Sequence, residues 1–110
     1  LLPIETLQVD ATENGVRLVS EVGEGEGKNF LDAVKDLRKN ASGDVFFDTA
    51  EHLILCDENL LPQILESKLL RPAANVYFAP ELQDPQGLSQ YLAAHPSKKT
   101  IAALRADDAS

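Results

Sequence analysis

The chain has 110 residues, 44% of them hydrophobic and 25% charged, and carries a net charge of -8 at pH 7. That length supports one hydrophobic core, and the composition argues against disorder. The acidic balance excludes phosphate-backbone binding, which needs clustered Lys and Arg, and it opposes electrostatic docking on an anionic membrane. The single cysteine, Cys56, leaves no internal disulfide and no multi-Cys metal site. No apolar run reaches the ~18–20 residues of a spanning helix, and there is no signal-peptide pattern. A chain that starts at Leu1 and holds no Met reads as a trimmed or processed fragment of something longer.

Residues 4–9 place Leu7 and Val9 at the period of a half-buried strand. Ala11–Gly15 follows as a turn, with Asn14-Gly15 as the hairpin signal. Val16, Leu18, Ser20 and Val22 then alternate on a second strand. Gly23-Glu24-Gly25-Glu26-Gly27 reads as a flexible acidic link: its glycines lack the spacing of a nucleotide loop, and its two carboxylates would repel phosphate.

A first helix is expected over Asn29 to Ala41, with Phe30, Leu31, Ala33, Val34, Leu37 and Ala41 on one face. Asn29 is its N-cap, Asp32 holds the capping-box position, and Gly43 is placed to supply a left-handed C-terminal cap. Val45-Phe46-Phe47 leads to an apolar strand, His52 to Cys56, suited to burial on both faces as in a parallel pair. A second helix is expected over about 59–70, with Pro62 in its first turn, Leu61, Ile64, Leu65 and Leu69 as its buried stripe, and Arg71-Pro72 as its stop. Asn75 to Ala79 is a further strand, which completes a βαβ unit. Asp84-Pro85 opens a helix with Leu88, Tyr91 and Leu92 on one face, His95-Pro96 ends it, and Ser97 caps a last turn through Ile101 and Leu104. Residues 107–110 read as a frayed tail.

The fold expected is α/β (α+β), one domain over 1–110. A mixed sheet of about four strands, made of an N-terminal β-hairpin followed by the βαβ unit, carries about three helices packed on it.

No side chain stands out as catalytic, cofactor-binding or metal-ligating. Cys56 with His52 or His95 is the obvious nucleophile-and-base candidate, but Cys56 ends an apolar strand beside Asp57 and Glu58, which suits a buried thiol rather than a reactive one. Glu51 and His52 alternate to opposite faces of a strand and cannot pair there. His95 sits at a helix C-terminus, where a cation is favoured. Two histidines without a helical partner make a poor zinc site. Glu5, Asp10, Glu13, Glu21, Glu24 and Glu26 face only Arg17 in the first 27 residues, without calcium-loop spacing, so they read as a solvated acidic face. Tyr77 and Phe78 are expected to be buried, as aromatic residues of a short strand usually are.

Several segments taken together resemble the N-terminal domain of the spore germination lipoproteins of the GerAC or Ger(x)C family, the C subunit of nutrient-germinant receptors. They are Val9-Asp10, Gly27-Lys28-Asn29-Phe30-Leu31-Asp32-Ala33-Val34, Phe46-Phe47, Leu53-Ile54-Leu55-Cys56-Asp57-Glu58-Asn59-Leu60 and Val76-Tyr77-Phe78-Ala79. The likeness spans nearly the whole chain and only the first of the family's domains. The family's lipid-attachment cysteine is not among these residues, and the histidine that many members carry at the start of the central strand aligns nearer Ala50 than His52.

The resemblance implies a noncatalytic domain without cofactor, acting by protein–protein contacts with A- and B-type membrane subunits. It implies no nucleic-acid partner, and attachment to the extracytoplasmic face of the spore inner membrane only through a lipid anchor outside these residues. The alternatives from other classes are an unrelated small α/β adaptor domain of a larger protein and, last, a small Cys-dependent enzyme.

Overall fold

The computed structural model describes residues 1–109. Its centre is a mixed five-stranded sheet built from β2 (Thr6–Thr12), β3 (Gly15–Ser20), β4 (Gly23–Gly27), β6 (His52–Leu55) and β7 (Asn75–Phe78), in the order β4-β3-β2-β6-β7. β2, β3 and β4 form an antiparallel meander, and β2, β6 and β7 are parallel. β1 (Leu2–Pro3) and β5 (Val45–Phe46) make a separate two-stranded parallel ribbon. Four helices complete the chain: α1 (Phe30–Asn40), α2 (Leu61–Ser67) after a 3₁₀ turn at Glu58–Leu60, α3 (Leu88–Ala94) and α4 (Ile101–Ala109). The α+β class therefore holds, with one more strand in the main sheet than the sequence suggested, a two-stranded ribbon beside it and a fourth helix.

The extra strand is the Gly-Glu stretch, which is an ordered edge strand and not a flexible link. β4 pairs with β3 so that Gly25 lies opposite Leu18 and Gly27 opposite Val16. Both glycines face α1, whose backbone comes so near that a Cβ on Gly25 would lie 2.4 Å from the Leu37 nitrogen. On Gly27 it would lie 2.5 Å from the Ala33 nitrogen. Glycine at alternate positions is what lets a helix lie directly on a strand. The intervening Glu24 and Glu26 point to the opposite face, beside Arg17, with Arg17 Nη2 2.6 Å from Glu24 Oε1. The outer edge of β4 is closed by the same helix: the Glu26 amide donates to Asp36 Oδ2, and Asn40 Nδ2 donates to the Glu24 carbonyl. These bonds blunt an edge that would otherwise be open to another strand.

The hairpin also differs from expectation. Thr12 pairs with Gly15, so the two-residue turn is Glu13-Asn14, and neither takes a positive φ. Gly15 is needed for a different reason: a Cβ there would lie 2.0 Å from the Gly27 carbonyl oxygen.

α1 begins where expected, with the Asp32 amide donating to Asn29 Oδ1, a cap that contributes roughly 1 kcal/mol. A second acceptor comes from α2, as Gln63 Oε1 takes the Phe30 amide. The helix ends at an extended Ala41 and not through Gly43, and Leu31 lies on its solvent side. α2 is shorter than expected. Lys68 takes the left-handed conformation at φ 56° and stops it before Arg71-Pro72 is reached.

Phe30, Ala33, Val34 and Leu37 of α1, Ile64 and Leu65 of α2, and Ile101 and Leu104 of α4 pack on one sheet face, against Leu7, Val9, Val16, Leu18, Leu53, Leu55 and Val76. α4 is opened by Thr100, whose Oγ1 accepts from the Ala103 amide. Ser97 instead donates to the Val76 carbonyl while the Val76 amide donates to Lys99, so residues 97–100 cover the outer edge of β7. Residues 107–109 are helical within α4, and Ser110 lies outside the described residues. Among the described residues no helix is long and apolar enough to cross a membrane.

Candidate functional site

The second face of the sheet carries Thr6, Gln8, Val19, His52, Ile54 and Tyr77, as the alternation and register require. A strap formed by residues 80–96, including α3, lies over it and is tied down by polar bonds. Gln8 is fully buried, and its amide makes both bonds of a peptide pair with Gln83: Nε2 donates to the Gln83 carbonyl at 2.8 Å, and Oε1 accepts the Gln83 amide at 2.7 Å. Tyr77 OH donates to the Leu92 carbonyl at 3.0 Å, and the Thr6 and Ser89 hydroxyls lie 2.7 Å apart. Glu21 Oε1 and Oε2 accept the Glu5 and Thr6 amides. The strap enters α3 differently from the sequence reading. Asp84 Oδ1 accepts the Gln86 amide in a turn, and Gly87, at φ 73°, is the residue from which the helix starts.

Between the strap and the sheet is a cleft of about 500 Å³ at the carboxyl ends of β6 and β7. Its floor is Ile54, Tyr77 and Leu92, and its rim includes Phe78, Asp84, Leu88 and Tyr91. Phe78 is 49% exposed and Tyr91 60% exposed, which overturns the expected burial of the first and takes the second out of the packed face of α3. Tyr91 is held upright by His95: the rings stack at 4.2 Å, and His95 Nδ1 donates to the Tyr91 carbonyl at 2.8 Å. His95 is thus engaged with its own helix end. The carboxyl ends of parallel strands are where ligands of open α/β sheets bind, which makes this cleft the candidate site.

The residues weighed as chemistry do not converge on it. Cys56 lies just beyond β6 and is half-buried rather than fully buried. Burial, with Asp10 and Glu81 nearby, pushes its thiol up to about 11, so almost none is thiolate at neutral pH. His52 opens β6, is 5% exposed, and has no hydrogen-bond partner for Nδ1; its ring lies 5.9 Å from that of Tyr77. Burial pushes its pKa down, against the opposing pull of Glu51, Glu5 and Glu21. Among the described residues no three His, Cys, Asp or Glu side chains are grouped to hold a metal ion.

The sequence marked Tyr77, Phe78, Leu88, Tyr91 and Leu92 as strand or helix positions, but nothing in it brought them together. The cleft is assembled from residues up to 38 positions apart, Ile54 to Leu92. Comparison with family models, curated proteins and solved structures returned no match for this chain.

Proposed function

We propose that the chain is a noncatalytic contact domain of the kind found at the N-terminus of the C subunit of spore nutrient-germinant receptors. In that reading it works through protein–protein contacts in a membrane-associated complex, with A- and B-type subunits as partners. It is held at the extracytoplasmic face of the spore inner membrane by a lipid anchor outside these residues.

The observation that carries the reading is where the resembling segments lie. Val9-Asp10, residues 53–60 and residues 76–79 occupy the three adjacent parallel strands and the entry to α2, and residues 27–34 form the junction of β4 and α1. Gly27, the glycine that leads the helix in that family, has a physical task here, since α1 lies against its Cα. A contact role is supported by the chemistry of the surface. Cys56, His52 and His95 are occupied with packing or with their own helix, whereas Phe78 and Tyr91 stand open to solvent.

The test is to express the full-length gene product with a tag in its native sporulating host and solubilise the spore inner membrane. The expected result is a lipid-modified cysteine upstream of Leu1 and co-purification with the A- and B-type subunits encoded beside it. A gene without a lipobox cysteine, whose product stays out of that complex, overturns the receptor assignment in favour of an unrelated adaptor.

A further inference from the structure

We propose that the cleft between β7 and α3 is a docking groove for a segment of a partner polypeptide that presents an aromatic or branched apolar anchor flanked by Lys or Arg. The inference rests on the reading of this chain as a contact domain and adds the place and the chemistry of the contact.

Three observations carry it. First, the groove is preformed. Its sheet wall is fixed within the parallel ladder, and its strap wall is fixed by the Gln8–Gln83 pair and by Tyr77 OH on the Leu92 carbonyl. Binding therefore requires little ordering, the condition under which a small apolar anchor is effective. Second, its floor is apolar and its strap-side lip is aromatic. Ile54 and Leu92 are buried beside the exposed ring of Tyr91, an arrangement suited to taking up an anchor side chain.

Third, the charge that lines it is negative. Asp84 lines the groove, and among its lining residues there is no Lys or Arg. Glu81, on the strap after β7, and Asp10 add carboxylates near Cys56 at the end of β6. In the adjoining depression beyond Phe78, Glu58 and Lys99 offset one another. A potential of this kind draws in a cationic segment and repels an acidic one. It also disfavours a second copy of this chain, whose net charge is -8. The depression at Arg38 and Phe46 lacks such a bias, because Arg38 and Lys68 face Asp44 and Asp48 there.

The test is an NMR titration of the ¹⁵N-labelled chain with a short capped peptide carrying Leu-Phe between paired lysines. Two controls accompany it, one with glutamates in place of the lysines and one with Ser-Ser in place of Leu-Phe. The expected result is amide shift changes confined to residues 54, 77–79 and 83–92, with binding weaker by about ten-fold or more for each control. Tyr91→Ala should weaken binding by about ten-fold, and the pair Glu81→Lys with Asp84→Lys should move the preference to the glutamate peptide. All three side chains are exposed, and unchanged spectra away from the groove verify the fold of each variant.

Shifts elsewhere, equal binding of the glutamate peptide, or indifference to Tyr91→Ala overturns the proposal. So does concentration-dependent self-association abolished by Tyr91→Ala, which would make the occupant a second copy. Failure of the peptide with receptor subunits still co-purifying rejects the groove alone. Groove binding without co-purification rejects the receptor assignment and leaves the groove standing.

Discussion

Gly25 shows how a residue without a side chain can decide an interface. Its Cα lies under the backbone of α1, and a methyl group there would meet Leu37 N at 2.4 Å and Ala33 O at 2.5 Å, both of them backbone atoms that cannot swing aside. Gly25→Ala is expected to cost about 2–3 kcal/mol, the upper range for overpacking, because the helix must lift from the strand. Gly43→Ala, where the nearest atom is a Leu2 methyl at 3.6 Å, should fall within about 0.5 kcal/mol of the parent. Urea midpoints of the two variants against the parent check the contrast.

His52 makes a pH prediction at the same scale. Its folded pKa lies below the ordinary value because burial disfavours the imidazolium. Below about pH 6.5 the unfolded chain therefore takes up a proton that the folded chain refuses. The stability in question is complete above that pH and is lost as pH falls from there toward the lower folded value. His52→Leu should lose less stability between pH 7 and pH 5 than the parent, measured by urea unfolding at the two values. An equal loss would show that the acid limb belongs to the carboxylates alone.

At the scale of elements, the strap over the second face is held more by polar pairs than by area, since Leu92 is the one fully packed apolar residue of α3. The Gln8 amide imitates a neighbouring strand by pairing with both backbone groups of Gln83. Gln8→Leu removes both bonds while keeping the buried volume close. The cost should be about 1–2 kcal/mol, because Gln83 is exposed and water can replace part of what is lost. Amide hydrogen exchange should accelerate in residues 83–95 and stay unchanged in α1 and β4, which share no bond with the strap. A uniform acceleration would mean that the strap and the main core unfold as one unit.

On the scale of the whole molecule, 18 acidic against 10 basic residues set up self-repulsion in the compact state. Against it stand ion pairs of Arg17 with Glu24 and Glu26, exposed contacts worth at most about 1 kcal/mol and themselves weakened by salt. Repulsion summed over the surface outweighs them. Raising NaCl from about 20 mM to about 300 mM should therefore lift the melting temperature by a few degrees, about 2–5 °C. A fall in melting temperature would show that the Arg17 cluster matters more than its exposure suggests. Asp84 carries the same sign into the β7–α3 groove, so the global charge and the groove lining favour one kind of partner.

The sequence by itself determined what depends on neighbours within a few positions. α1 could be read with its Asn29 cap, and so could the apolar strand at His52–Leu55, the βαβ order that makes β6 and β7 parallel, and the end of α3 at His95. Each rests on periodicity or capping chemistry, which is local. The tertiary structure decided what depends on the approach of distant segments. A Gly-Glu repeat has no apolar alternation to announce a strand, and β4 is a strand because α1, up to 16 positions further on at Asn40, lies on its glycines and caps its edge. Phe78 is expected in the core because short strands usually bury aromatic side chains; it is the last residue of β7, shares its sheet face with Leu55, and is 49% exposed beside Leu61 and Leu104. The groove beside it is formed by side-chain-to-backbone bonds between Gln8 and Gln83 and from Tyr77 to Leu92. Hydrophobic pattern reports that a face must be covered, and only the path of the chain in space settles by what and how completely.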